Sequence, residues 1–403
     1  MRRSFAAGLA ALTLLLLAGC GGSKASPSEV PEQPSEEPAP PEPTAEELAA
    51  REIETILSSL TLEEKVGQLF FVRCPAEHAI EDIGTYHLGG YLLFGRDYQD
   101  AAGSWLTEEQ FVQTITAYQD AALADTGIPL LIGSDEEGGT VTRASRNPNL
   151  FSSPFRSPQQ IAAEAGGRGE AFAEDGLEKS NGLKNLGINV NLSPVADVST
   201  DPKDFIYDRT LGQDAQSTAN YVASVVAAVR EAGGMGSVLK HFPGYGNNVD
   251  THTGIAVDQR SLESFFSSDF LPFQAGIRAG GGTAAVLVSH NIMTAVDETL
   301  PSSLSPAVHQ LLREDLGFDG VVMTDDLAMD AVAAYAQDGA VAVLALEAGN
   351  DLIITTDYRT QIPKVMQALE AGELEESVID AACRRGLTWK QTLGLLLPGE
   401  RIS

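Results

Sequence analysis

The sequence predicts an α/β protein built as a single (β/α)8 barrel. Three observations carry that expectation. Eight short apolar runs alternate with helical patterns, the signature of parallel strands covered by helices. Several helical patterns stop at a glycine just before the next run. Polar residues crowd the ends of five consecutive runs, which is where a closed parallel barrel opens to solvent.

Taken in order, the runs are Val66–Val72, Gly90–Phe94, Pro129–Gly133, Ile188–Leu192, Gly236–Leu239, Ala284–Val288, Gly320–Met323 and Asp351–Ile354. The helical patterns between them include Glu108–Leu123, Gln159–Asn185, Ala215–Glu231, Leu262–Ala279 and Pro306–Leu316. Gly187, Gly233 and Gly317 stand where a left-handed residue would end a helix. An open doubly wound sheet also alternates strands and helices, but no dinucleotide or phosphate fingerprint accompanies this pattern. A TIM-type closure of eight units is therefore the expected fold.

The chain divides into three stretches. Residues 1–19 read as a lipoprotein signal peptide: Arg2 and Arg3 precede an apolar run from Phe5 to Ala18, and Leu17-Ala18-Gly19-Cys20 resembles a lipobox. Cys20 would then be the lipidated residue, and the expected location is extracytoplasmic, anchored to the cell membrane. Residues 20–45 read as a disordered Pro/Glu-rich linker, with too few aliphatic side chains to offset the entropy of ordering. Residues 46–397 carry the barrel. A net charge of −30 argues against nucleic acid as a partner, since phosphates would be repelled, and leaves the lipid as the membrane contact. Oligomeric state is not legible. Cys74 and Cys383 are read as buried thiols, with one bridge between them left open.

The polar run ends carry the candidate chemistry. Ser134-Asp135-Glu136-Glu137-Gly138-Gly139 follows the third run, and Asn191-Leu192-Ser193-Pro194-Val195-Ala196-Asp197 closes the fourth. Lys240-His241-Phe242-Pro243-Gly244, Ser289-His290-Asn291 and Thr324-Asp325-Asp326 follow the next three. Together they describe a cavity of carboxylate, amide, imidazole and ammonium groups, suited to a polyhydroxylated substrate. No pair of histidines has helical ligand spacing, which argues against a metal, and no cofactor is expected.

In these motifs other than Ser289-His290-Asn291, with Gly89-Gly90-Tyr91-Leu92-Leu93-Phe94, Asp208-Arg209-Thr210-Leu211-Gly212 and Asp250-Thr251-His252, the chain from about Leu48 to Leu393 resembles bacterial β-N-acetylglucosaminidases of glycoside hydrolase family three. The resemblance implies Asp325 as nucleophile and His252, supported by Asp250, as acid/base. It implies Asp135, Arg209, Lys240 and His241 as sugar contacts. Asp197 is read as a loop-organising acceptor and Asp326 as a structural one. Tyr245 and Thr140 depart from the family pattern, which often has His and Arg there; a tyrosine can still donate a hydrogen bond or stack on a sugar face, so activity is expected to survive with a changed affinity or preference.

The implied activity is retaining hydrolysis of non-reducing terminal β-linked N-acetylglucosamine from cell-wall or chitin-type oligosaccharides. Competing readings are a β-glucosidase or xylosidase, against which the Asp250-Thr251-His252 motif argues, and an N-acetylglucosamine phosphorylase. From a different class, a carbohydrate-binding lipoprotein would need two hinged lobes, which eight runs in one domain contradict.

Overall fold

In the computed structural model, which describes residues 43–248, 254–333, 335 and 340–396, the apolar runs pair as parallel strands. β1 (Phe71–Arg73), β2 (Gly90–Leu93), β3 (Leu131–Ser134), β4 (Val190–Asn191) and β5 (Gly236–Phe242) follow one another across the sheet. β6 (Val257–Asp258) and β8 (Ile292–Met293) form a separate two-stranded piece, while β7 (Ala284–Val288) and β9 (Val322–Thr324) continue the main sheet beyond β5. The segment around Leu352 makes parallel bridges to both edges, Met323 with Leu352 and Phe70 with Ile353. Phe71 N donates to Ile353 O at 3.0 Å and Thr324 N to Leu352 O at 3.1 Å, so the seven-stranded sheet is curled.

Inside the curl, Phe71, Leu92, Leu131, Val190, Val238, Leu287, Met323 and Ile354 form one buried cluster. Phe71 needs glycine neighbours: a Cβ on Gly133 would lie 2.3 Å from its Cζ, and one on Gly90 2.7 Å from its Cδ2. Trp389, from the helix Glu376–Thr392, packs into the same cluster and donates to Thr283 O at 3.0 Å. A larger cluster lies between strands and helices, the two-sided burial that makes each run apolar throughout.

The first run is shorter as a strand than expected, because Leu62–Gln68 is helical. Thr61 caps it and Glu64 closes a capping box, which places Val66 on a buried helical turn. The stretch expected as one helix over Gln159–Asn185 is two, Pro158–Ala165 and Ala171–Asn185, divided at Gly166 (φ 58°) and Gly167 (φ 87°). Leu262–Ala279 likewise divides into Leu262–Ser267 and Phe270–Gly280. Pro306–Leu316 is α-helical over Pro306–Gln310 and widens to a π turn over Leu311–Asp315. The eighth run pairs through bridges rather than a ladder because the Asp351 carboxylate accepts the Val322 N–H itself, at 2.8 Å. Cys74 and Cys383 are both buried free thiols.

Candidate active site

Strand ends position the polar side chains. Glu136 N donates to Asn191 Oδ1 at 3.0 Å and Asn191 Nδ2 returns a bond to Glu136 O at 3.2 Å, tying the end of β3 to β4. The chain then turns sharply through Gly138 (φ 96°), where a Cβ would come within 1.9 Å of Arg156 O. The turn sends the two glutamates to different tasks. Glu136 accepts from Arg143 N at 2.6 Å and Ser145 Oγ at 2.8 Å, organising the loop behind it. Glu137 faces the cavity.

There Arg209 grips Glu137 with a two-point contact, Nε to Oε2 at 2.9 Å and Nη2 to Oε1 at 2.7 Å. Lys240 Nζ lies 2.6 Å from both Glu137 Oε1 and Asp135 Oδ1. Burial opposes the charge on Glu137, but Arg209 and Lys240 outweigh it and hold the carboxyl well below the usual carboxylate range. Burial likewise opposes the Lys240 ammonium, yet Asp135 and Glu137 keep its pKa above the ordinary value.

Lys240 and His241 are neighbours on β5 and both line the cavity, although successive strand residues normally alternate. The pairing register shifts between Leu239 and Phe242, and this irregularity turns both side chains to one face. Asp197 accepts from His241 Nδ1 at 2.8 Å, His241 N at 3.0 Å and Tyr245 N at 2.7 Å. Arg209 Nη2 lies 2.9 Å from His241 Nε2. A carboxylate only accepts and a guanidinium only donates, so the ring is held with its proton on Nδ1.

Asp325 follows β9, its backbone N donating to Val288 O at 3.0 Å and its Oδ1 accepting from Asp326 N at 2.8 Å. Asp326 turns to the neighbouring loop, accepting from Ala328 N at 3.0 Å and Thr356 Oγ1 at 3.0 Å. A cavity of about 530 Å³ thus brings together Asp135, Arg209, Lys240, His241 and Asp325 from four strand ends or their loops. Asp250, His252 and Cys20 lie outside the described residues. Among the residues flanking the Asp250–His252 motif in the sequence, Asn248 Nδ2 donates to Asp258 Oδ2 at 2.6 Å, and Arg260 joins Asp258 to Asp269.

Two expectations change. Tyr245 is only 1% exposed and packs edge-on against His241, ring centroids 5.2 Å apart, so it supports the imidazole from behind instead of meeting a sugar. The Ser289-His290-Asn291 end does not line the cavity: His290 Nδ1 meets Ser303 Oγ at 2.7 Å and Nε2 meets Asp326 O at 3.1 Å, bracing the loop after β9. Sequence reasoning missed Arg73, Phe94, Arg143 and Phe205, which also line the cavity. Arg73 and Arg143 stand over the Phe94 ring at 4.3 and 5.5 Å. Arg73 ends the first apolar run, a position that could have flagged it; Phe205 lies in an irregular loop and carried no signal.

Parallel strands ending in a cavity of interleaved carboxylates and cations define an α/β enzyme for a polar, hydroxyl-bearing substrate. The chain belongs to glycosyl hydrolase family 3, whose N-terminal domain it matches over residues 61–388. It is 33% identical over 287 residues to a β-hexosaminidase of Thiobacillus denitrificans, covering 70% of this chain and 75% of that one. It is 30% identical over 348 residues to the β-hexosaminidase LpqI of Mycobacterium tuberculosis, covering 82% and 83%. Among solved structures it resembles a family 3 β-N-acetylglucosaminidase from Paenibacillus sp. (TM-score 0.74, 30% identity), covering 85% of this chain and spanning 65% of that one. It also resembles a β-N-acetylhexosaminidase from Beutenbergia cavernae (TM-score 0.69, 31% identity), with 82% and 99% covered.

Proposed function

We propose that this chain hydrolyses non-reducing terminal β-linked N-acetylglucosamine from cell-wall or chitin-type oligosaccharides, with retention of configuration. The observation that carries the reading is the placement of Asp325 at the end of β9, in the same cavity as the Asp135, Glu137, Arg209, Lys240 and His241 network. That network supplies fixed acceptors and charge-assisted donors for ring hydroxyls. Asp325 attacks the anomeric carbon and forms a glycosyl ester, while His252, supported by Asp250, gives its proton to the departing oxygen. The same histidine then takes a proton from water, which displaces Asp325. The relatives' β-hexosaminidase names support the substrate class.

The scaffold of this reading is a (β/α)8 barrel closed by the Asp351–Ile354 run, supported by the two bridges that run makes. The expected setting is outside the cell: residues 1–19 as signal, Cys20 as lipid anchor and residues 20–45 as tether, supported by the Leu17-Ala18-Gly19-Cys20 motif. The decisive experiment is proton magnetic resonance of the first sugar released from 4-nitrophenyl N-acetyl-β-glucosaminide. Retention predicts the β anomer first. The α anomer first, or no turnover, overturns the mechanism or the activity respectively.

A further inference from the structure

Behind the cavity, on the outer side of the sheet, the helix Ala171–Asn185 buries an ion pair that the proposed chemistry does not use. Asp175 and Lys179 are each 5% exposed, one helical turn apart, with Oδ2 and Nζ at 2.7 Å. Lys179 Nζ also lies 3.2 Å from Glu137 O and 3.4 Å from Arg156 O. It therefore bonds the carbonyl of the residue whose carboxylate orders Arg209 and Lys240. The same turn is tight elsewhere. A Cβ on Gly138 would meet Lys179 Nζ at 3.2 Å, and Gly139 N donates to Phe155 O at 2.8 Å.

Burying two charges costs desolvation that their attraction does not reliably return, so apolar side chains would hold this helix to the sheet as well or better. What apolar side chains cannot do is fix a carbonyl. We propose that Lys179, itself held by Asp175, is a positioning residue for Glu137. It fixes the peptide after β3 so that the Glu137 carboxylate meets Arg209 at two points and Lys240 at one, and the sugar-binding network stays in register. This rests on the hydrolase reading for its kinetic consequence, though not for its structural one. A displacement of about 1 Å in such a network is enough to cost orders of magnitude in rate.

Two variants test it on the full chain: Asp175→Asn, and the double variant Asp175→Ala with Lys179→Met, which removes both charges together. Melting temperature, kcat and KM on 4-nitrophenyl N-acetyl-β-glucosaminide, and a crystal structure are obtained for each. The double variant is expected to melt within a few degrees of the wild type while kcat/KM falls about 10- to 100-fold. In its structure, Glu137 loses at least one contact to Arg209. A folded double variant with kcat/KM within about twofold of wild type overturns the inference. So does a structure in which Glu137 keeps both contacts, whatever the substrate proves to be. Should the double variant not fold, Asp175→Asn decides, with a loss of about 3- to 10-fold expected and none overturning. An inert wild type would instead sink the hydrolase reading, leaving the crystal structure to judge the positioning role.

Discussion

Arg209 joins two residues that lie on different strand ends: its Nη2 is 2.7 Å from Glu137 Oε1 and 2.9 Å from His241 Nε2. One nitrogen thus fixes both a carboxylate and an imidazole, and Asp197 fixes the far side of that ring at 2.8 Å. The orientation of His241 is set from both ends, before any substrate enters.

Arg209→Lys keeps the charge and removes the planar fork. An ammonium can satisfy Glu137 or His241 but not hold both in the same plane. The expected loss is about 10²-fold in kcat/KM on an aryl N-acetyl-β-glucosaminide, with the melting temperature changed little. A variant within a few-fold of wild type would mean that charge, and not fork geometry, is what the site requires.

Asp325→Asn preserves shape and the bond from Asp326 N while removing the anion. Turnover is expected to fall by roughly 10³-fold or more with the fold intact, checked by melting and kinetics on one preparation. Near-normal turnover would move the nucleophile elsewhere. Asp326 would be a poor second choice, since its carboxylate is engaged by Thr356 and Ala328 N.

Much of the fold is legible because strand and helix patterns are long-lived signals. Burial on both faces makes Gly90–Leu93 and Ala284–Val288 apolar throughout, and Gly187 and Gly317 do stand at positive φ after helices. The first run misleads because Val66 and Leu69 are as apolar on a buried helical turn as on a strand. In the site, Asp135, Lys240, His241 and Asp325 were legible as polar residues at or just beyond run ends, while Arg209, well past the fourth run, was marked only by the family resemblance of its Asp208-Arg209-Thr210-Leu211-Gly212 motif. Glu136 and Glu137 look alike in the sequence, and only the Gly138 turn separates a loop brace from a cavity carboxylate. Tyr245 misled for a similar reason, since nothing local reveals that its ring packs behind His241.

A different expectation concerns stability. Lys390 is buried with its Nζ on Gln68 Oε1 at 2.8 Å, and burial pushes its pKa down to about 7. The unfolded chain protonates this lysine below its ordinary value near 10.4, while the folded chain leaves it neutral down to about 7. Between those values the unfolded state binds more protons, so this group's contribution to stability rises with pH across that window and levels off below it. Lys390→Met should remove both the slope and a neutral-pH cost on the order of a few kcal/mol. The measurement is the difference in unfolding free energy, variant minus wild type, from pH 6.5 to 10. A difference that starts positive at neutral pH and shrinks as pH rises is expected; a constant difference would show that Lys390 does not titrate in this range.

The last expectation separates proton transfer from nucleophilic attack. If His252 is the acid, its loss should matter in proportion to how badly the leaving group needs a proton. Dinitrophenolate departs readily as an anion, whereas a sugar alkoxide does not. His252→Ala should therefore keep much of its glycosylation rate on dinitrophenyl N-acetyl-β-glucosaminide while chitobiose hydrolysis falls by roughly 10² to 10⁴. The same variant lacks a base for the water step, so azide, which needs no deprotonation, should restore turnover and give a β-glycosyl azide. Asp250→Asn should give a milder version, because the imidazole remains and only its anionic support is lost. Equal losses on both substrates, with no azide adduct, would mean that His252 only positions the sugar. Glu137, locked between Arg209 and Lys240, and Glu136, tied to its loop, are poorly placed to take over the proton, so the search would then turn first to Asp135, whose Oδ1 is held by Lys240 and whose Oδ2 lies a looser 3.8 Å from Arg143 Nη2.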